Sequence, residues 1–196
     1  MIFLLALLMT ASLFAQEKNA EDYFLEFRNK FEKIDGFSSD FIQTSDFVTT
    51  KLSGKFFYKK KSKFKIDLKF HKIISDGKTI WNYDSRFNRV IVNDQENDVS
   101  SFSIDKILYE YPSQCDLSVQ STTGNTTVII LKPKNGLLNF DSAFLTLVNS
   151  FISKIIITDF NGNKIEFILN NIQFISQPDK EFVFNPEKGT EIIDLR

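Results

Sequence analysis

The chain has 196 residues, with 25 acidic and 24 basic side chains, a net charge of −1, one cysteine and one histidine. That length suits one domain with a sizeable core. The balanced charge argues against a general nucleic-acid binder. The lone Cys115 excludes an intramolecular disulfide, and the lone His71 cannot supply a zinc site or a convincing nucleophile–base pair. Phe is frequent, at 22 residues. This fits a Phe-rich core, or more apolar surface than one sheet face needs and hence room for an apolar ligand.

Met1 to Ala15 is apolar from Ile2 to Met9, ends in small residues and gives way to Gln16-Glu17-Lys18. This is the pattern of a secretory signal peptide, with cleavage expected after Ala15. The run is shorter than the ~20 residues a membrane-spanning helix needs. No cysteine follows to carry a lipid, so residues 16–196 are expected to form one released domain.

Asn19 to Phe31 predicts a helix. Asn19 can cap it, Glu21 and Asp22 favour its first turn, and Gly36 can end it. Tyr23, Phe24, Phe27 and Phe31 fall on one face. Phe37–Thr49 and Lys51–Tyr58 then predict two strands, with Gly54 at a bulge or a close approach. Lys63 to Phe70 alternates strictly: Phe64, Ile66, Leu68 and Phe70 on one face, Lys63, Lys65, Asp67 and Lys69 on the other. Asp76-Gly77 predicts a hairpin turn, followed by strands over Lys78–Asp84 and Arg89–Val92.

Asn93 to Ser101 is loop-like. Ser103 to Tyr111 predicts a short helix with Ile104, Ile107 and Leu108 on one face, ended by Pro112. Strands are expected again over Asp116–Ser121, Thr126–Lys132, Ala143–Val148, Ile152–Asp159, Ile165–Phe174 and Glu181–Phe184. The segment Asp141–Leu147 reads equally as a helix. Roughly ten strands joined by short turns predict a mainly β fold: a strongly curved antiparallel sheet, or incomplete β-barrel, covered by the N-terminal helix and short lid helices.

No nucleophile elbow, phosphate-binding glycine loop or calcium loop is present. An enzyme is therefore not expected, nor a metal or cofactor. What the sequence offers is an apolar sheet face with amphipathic cover, and apolar concave surfaces are where ligands bind. Candidate lining residues are Phe41, Phe56, Phe64, Ile66, Leu68 and Trp81. Candidate cover residues are Tyr23, Phe27, Ile104, Ile107 and Leu108. Between Lys51 and Lys78 stand ten lysines. Lys59, Lys60, Lys61 and Lys63 form a basic turn that reads as a solvated face blunting a sheet edge, or as a docking patch for an acidic partner or anionic head groups.

Several segments together resemble the outer-membrane lipoprotein carrier (LolA) family. They are Gly36-Phe37-Ser38-Ser39-Asp40-Phe41-Ile42-Gln43, Gly54 to Ile66, Ser75-Asp76-Gly77-Lys78-Thr79-Ile80-Trp81-Asn82-Tyr83-Asp84, and Phe182 to Ile192. The resemblance implies an incomplete barrel with a helical lid over an apolar cavity. It implies a periplasmic, monomeric carrier of acylated lipoproteins, loaded by an inner-membrane release complex and unloaded at an outer-membrane receptor. Lys60-Lys61 stands where the family often has Arg-Pro; Lys cannot make the planar two-pronged contact of Arg. A lipid- or lipoprotein-sensing module on the same fold is the alternative reading.

Overall fold

The structure, a computed structural model, describes residues 18–95, 103–134 and 138–196. The expected signal peptide and most of the loop before the short helix lie outside these residues.

Helix α1, Ala20–Glu32, starts where its cap predicts. The Asn19 side chain accepts from the Asp22 amide at 2.8 Å, and the Asp22 carboxylate accepts from the Asn19 amide at 3.2 Å. This reciprocal pair satisfies two otherwise open amides. Phe24, Phe27 and Phe31 share the buried face.

Strands β1 (Gly36–Ser45), β2 (Val48–Lys59), β3 (Lys63–Leu68), β4 (His71–Asp76), β5 (Thr79–Asp84) and β6 (Arg89–Asp94) form one antiparallel meander. Strands β7 (Cys115–Thr123), β8 (Thr126–Pro133), β9 (Ser142–Val148), β10 (Phe151–Thr158) and β11 (Lys164–Gln173) form a second. Pairing of β1 with β11 fuses them, with Phe41 opposite Leu169 and Ser45 opposite Ile165. A last strand, β12 (Glu191–Asp194), pairs parallel to β6. The result is a single twelve-stranded sheet in the order β12-β6-β5-β4-β3-β2-β1-β11-β10-β9-β8-β7. Among the described residues its edges, β12 and β7, do not pair, so the barrel is incomplete.

β6 and β7 are consecutive in the chain yet lie near opposite edges. The described part of the chain between them lies on one face and carries the short helix: a π-helical turn Lys106–Glu110 running into α2, Tyr111–Gln114. Pro112 does not end it. A proline is tolerated in the first turn of α2, where no amide is needed, so the helix closes three residues later than predicted.

Three other expectations are corrected or resolved. Glu181–Phe184 is not a strand; Asp179–Phe182 forms a 3-10 turn and the terminal strand is β12, ten residues further on. Phe182 instead acts as a plug, fully buried against the outer face. Asp141–Leu147, ambiguous in sequence, lies largely in strand β9. Phe70 lies in the β3–β4 turn, exposed, because the alternation outruns the strand by two residues.

Cross-strand partners share a face. Phe64, Ile66 and Leu68 therefore share the inner face with Tyr58, Phe56 and Gly54. A Cβ on Gly54 would meet the Asp67 carbonyl oxygen at 2.0 Å, so the predicted close approach is real. The outer face is partly covered by the C-terminal segment, where the Phe184 ring lies 5.1 Å from that of Tyr83.

The hairpin turns fall at two ends of the sheet. Those at Lys60–Ser62, Gly77–Lys78, Gly124–Asn125 and Asn149–Ser150 lie at the α1 end. There Lys30 Nζ donates to the Asn149 carbonyl at 2.7 Å, and Lys60 Nζ to the Glu32 carbonyl at 2.9 Å. The turns at 46–47, 69–70, 85–88 and 159–163 lie at the far end. Phe182→Ala is expected to cost about 3–5 kcal/mol, as for other fully buried Phe, read as a lowered midpoint in urea unfolding.

Candidate functional site: the covered inner face

The inner face is apolar in both meanders. Phe41, Phe56, Phe64 and Ile66 from the first meet Ile129, Leu145, Ile155 and Phe167 from the second in one cluster. Among the described residues no second sheet closes over them. The cover is α1, through Phe24, Phe27 and Phe31, and the connecting segment, through Ile104, Ile107 and Leu108. Aromatic rings join cover to sheet. Phe31 lies 4.9 Å from Tyr58 between centroids, Phe27 lies 5.9 Å from Phe151, and Phe37 stacks on Tyr58 at 5.6 Å.

Burial varies along the face. Toward the α1 end Phe27, Phe31, Phe37 and Phe151 are fully covered, with Tyr23, Ile34 and Ile172 half buried at the margin. Toward the far end Leu68, Ile73, Ile157 and Ile165 are packed against the cluster but only half buried. The seam between α1 and β7 is the looser rim of the cover. A groove of about 800 Å³ runs there, lined in part by Tyr23, Leu117 and Val119. A second, of about 420 Å³, lies between α1, Pro112 and Cys115.

One polar tie sits inside this apolar cover. The buried Tyr58 hydroxyl donates to Asp105 Oδ1 at 2.9 Å. Burial pushes the Asp105 carboxyl above its usual range, with hydrogen bonds from Ser62 and Tyr58 pulling the other way. Burial and the facing Asp105 raise the Tyr58 hydroxyl as well. Ser39, also on the inner face, has a buried hydroxyl with no hydrogen-bond partner among the described residues.

Of the candidate lining residues, Phe41, Phe56, Phe64 and Ile66 are brought together and Leu68 stands at the open end of the same face. Trp81 is not among them. It pairs with Ile74 and Val92, whose register sets all three on the outer face. The one-residue offset across β4 and β5 is invisible without the pairing. The cover residues Phe27, Ile104, Ile107 and Leu108 are buried in the cluster, and Tyr23 packs against it half buried.

The basic turn is largely engaged within the molecule. Lys59 and Lys63 reach the same Asp179 carboxylate, at 2.7 and 3.3 Å. Their hydrogen bonds hold Asp179 below the usual carboxylate range. Lys60 caps α1, and Lys61, in the left-handed region at φ 70°, is exposed in the turn. The cluster thus fastens the C-terminal segment and α1 to the sheet. His71, on the same face of β4 as Ile73 but at its far end, meets Arg86 at 2.9 Å and Asp84 at 3.6 Å beside the β5–β6 turn.

Sequence reading missed Asp105 as a partner for Tyr58, and the lining supplied by the second meander. The alternation Ala143-Leu145-Leu147 and Ile165-Phe167-Leu169 carried the latter signal. Nothing local marks the former, because Tyr58 and Asp105 are 47 residues apart.

Fold and site together define a class: an open antiparallel barrel whose apolar inner face is covered by helices rather than by a second sheet. Residues 32–185 match the family described as outer membrane lipoprotein carrier protein LolA, and the chain belongs to that family. It is 27% identical over 179 residues to the outer-membrane lipoprotein carrier protein of Haemophilus influenzae, spanning 87% of this chain and 86% of that one. It is 27% identical over 196 residues to the protein of the same name from Actinobacillus pleuropneumoniae, covering 96% and 89%. Among solved structures, an uncharacterized conserved protein from Thermus thermophilus shares the fold, with a TM-score of 0.61 at 10% identity over 89% of this chain and 98% of that one. MucB in its complex with MucA from Pseudomonas aeruginosa does so at 0.51 and 11%, over 85% and 61%. No helix among the described residues is long and apolar enough to cross a membrane.

The tie between cover and sheet is testable by pH. Because Asp105 binds its proton more tightly when buried, its contribution to the closed arrangement is complete at acid pH and is lost as pH rises through the raised pKa. Asp105→Asn is expected to flatten that part of the pH dependence of the thermal midpoint. Tyr58→Phe leaves the carboxylate one donor short and should cost about 1–3 kcal/mol at neutral pH.

Proposed function

We propose that this protein carries acylated lipoproteins through the periplasm, holding their acyl chains on the inner face beneath α1 and the short helix. The observation that carries the reading is an apolar inner face under helical cover, with an aromatic cluster packed against α1 and Leu68, Ile157 and Ile165 only half buried toward the far end. Membership of the carrier family supports it. In this reading residues 1–15 are removed on export and residues 16–196 work as one monomeric domain. Cargo passes from an inner-membrane release complex to the outer membrane, with or without a receptor there.

Magnitudes are consistent with exchange rather than with permanent capture. Uncovering Ile104, Ile107 and Leu108 costs roughly 5–9 kcal/mol, and burying an acyl chain of about a dozen CH₂ groups returns about 10 kcal/mol. The two are close enough for cargo to displace the cover and for the cover to help expel cargo.

Native mass spectrometry of the protein purified from its own periplasm tests this. A co-purifying triacylated protein is the expected result. Co-purified free fatty acid or phospholipid would shift the reading to a lipid carrier or sensor. An empty protein that also refuses a fluorescent acyl probe would remove the inner face as a binding site. Leu68→Asp, at the half-open end, is expected to weaken probe uptake about tenfold or more while leaving the fold intact, since a charge there is costly only against a bound apolar chain.

A further inference from the structure

Four turns at the far end of the sheet each present an exposed phenylalanine; at the fifth connection there, between β8 and β9, Phe140 is buried. Phe47 is 61% exposed, Phe70 44%, Phe87 66% and Phe160 67%. The hairpin turns at the α1 end, Lys60–Ser62, Gly77–Lys78, Gly124–Asn125 and Asn149–Ser150, contain no aromatic residue. Phe174, where the chain leaves β11 at that end, meets Phe151 edge-on at 5.1 Å yet is 52% exposed, and Ile175 beside it is 51% exposed. Single exposed apolar side chains scattered over a surface are ordinary. One on each of four hairpin turns at one end, against Phe174 and Ile175 on the single exit of β11 at the other, is a patterned surface.

These turns are held rather than loose. The Asp46 amide donates to the Lys164 carbonyl at 3.0 Å, and the Lys164 amide to Asp46 Oδ2 at 2.8 Å, tying the Phe47 turn beside the Phe160 turn. The Ser85 amide donates to the Phe70 carbonyl at 2.9 Å, tying the Phe70 turn to the Phe87 turn. Asp159 accepts from the amides of Asn161 and Asn163, each at 2.8 Å. The rings next to these ties project although their backbone is fixed.

Cations stand beside two of the rings. The Arg86 guanidinium carbon is 5.8 Å from the Phe70 ring centre and 5.5 Å from that of Phe87, and Lys69 Nζ is 4.9 Å from Phe70. Aromatic rings with flanking cations suit the boundary layer of a bilayer, where rings enter the acyl region and cations stay at the level of the phosphates. Acids are present too. Asp84 binds Arg86 at 2.7 Å, and Asp46 and Asp159 accept backbone amides at their own turns. The local charge is nearly balanced, so the aromatic contribution dominates.

We propose that the far end of the sheet docks directly on a phospholipid bilayer surface through Phe47, Phe70, Phe87 and Phe160. The half-buried inner-face residues Leu68, Ile157 and Ile165 adjoin the same turns, so apolar surface runs from the covered cluster to the tips. An acyl chain leaving a bilayer would then meet apolar surface without a step through water. The docking surface itself does not depend on the inner face taking acyl chains.

The test is co-sedimentation of the mature protein with sucrose-loaded vesicles of phosphatidylethanolamine and phosphatidylglycerol. Wild type is expected to sediment with vesicles at low and at raised salt. The variant F47S/F70S/F87S/F160S is expected to lose at least about tenfold in partitioning, while still taking up a fluorescent acyl probe. Wild type left in the supernatant, equal sedimentation of the variant, or binding abolished by salt alone would each overturn the proposal. Sedimentation only with vesicles that contain a membrane protein would do so as well, since it places a protein where the proposal places lipid. A single-site measurement covers a variant that fails to fold: F87W should shift its fluorescence to the blue on adding vesicles, and the absence of a shift overturns the proposal. Loss of probe uptake with vesicle binding retained would strike the acyl-chain reading and leave this one standing.

Discussion

The architecture depends on one topological constraint: the chain leaves the sheet near one edge, at β6, and must rejoin it at the other, at β7. The described part of that link, from Ser103 to Gln114, lies on the inner face and packs Ile104, Ile107 and Leu108 into it. Part of the cover thus arises from the connection itself. α1 adds the second half of the cover from the N-terminal side, fixed by its cap at one end and by Lys60 on its last carbonyls at the other. Neither element belongs to the hydrogen-bonded sheet, so both can move while the strands stay paired.

The strength of the cover is set by how few polar contacts it makes. Apolar packing is non-directional and tolerates sliding. Tyr58 and Asp105 introduce a directional contact into that surface. The π-helical turn that starts one residue after Asp105 is a short element of poor hydrogen-bond geometry. On the outer face the arrangement is the reverse. There Lys59, Lys63 and Lys65 form ion pairs with Asp179 and Glu181, and Phe182 is driven fully into the surface. One face is held mainly by apolar packing and the other is fastened by ion pairs.

Much of this was legible in the chain, for reasons that are local. Strand alternation exposed the inner face of β3, the capping residues fixed the start of α1, and Asp76-Gly77 marked a turn through its positive-φ glycine. What stayed hidden depended on register. Trp81 looked like a lining residue because nothing in Thr79–Asp84 reveals which way β5 faces. The basic turn looked free because its partner Asp179 is more than a hundred residues away. Phe182-Val183-Phe184 alternates as a strand does, yet it is a plug, because the position beside β6 at the sheet edge is taken by β12. The four far-end phenylalanines are indistinguishable in sequence from core or ligand surface; only the direction of each strand puts them together.

The pairing of β1 with β11 has a consequence for how the molecule comes into being. It joins residues as far apart as Ser38 and Gln173, late in the chain against early. Long-range strand pairs form slowly, because the intervening chain must be closed before any contact repays it. A chain threaded through a membrane from its N-terminus presents the first meander well before the second. Until β11 arrives, β1 is an open edge and Phe41 and Phe56 face water. Such an intermediate is sticky in the way that its own proposed cargo is. The nascent protein passes through the same exposure of apolar surface that its finished form is proposed to spare others.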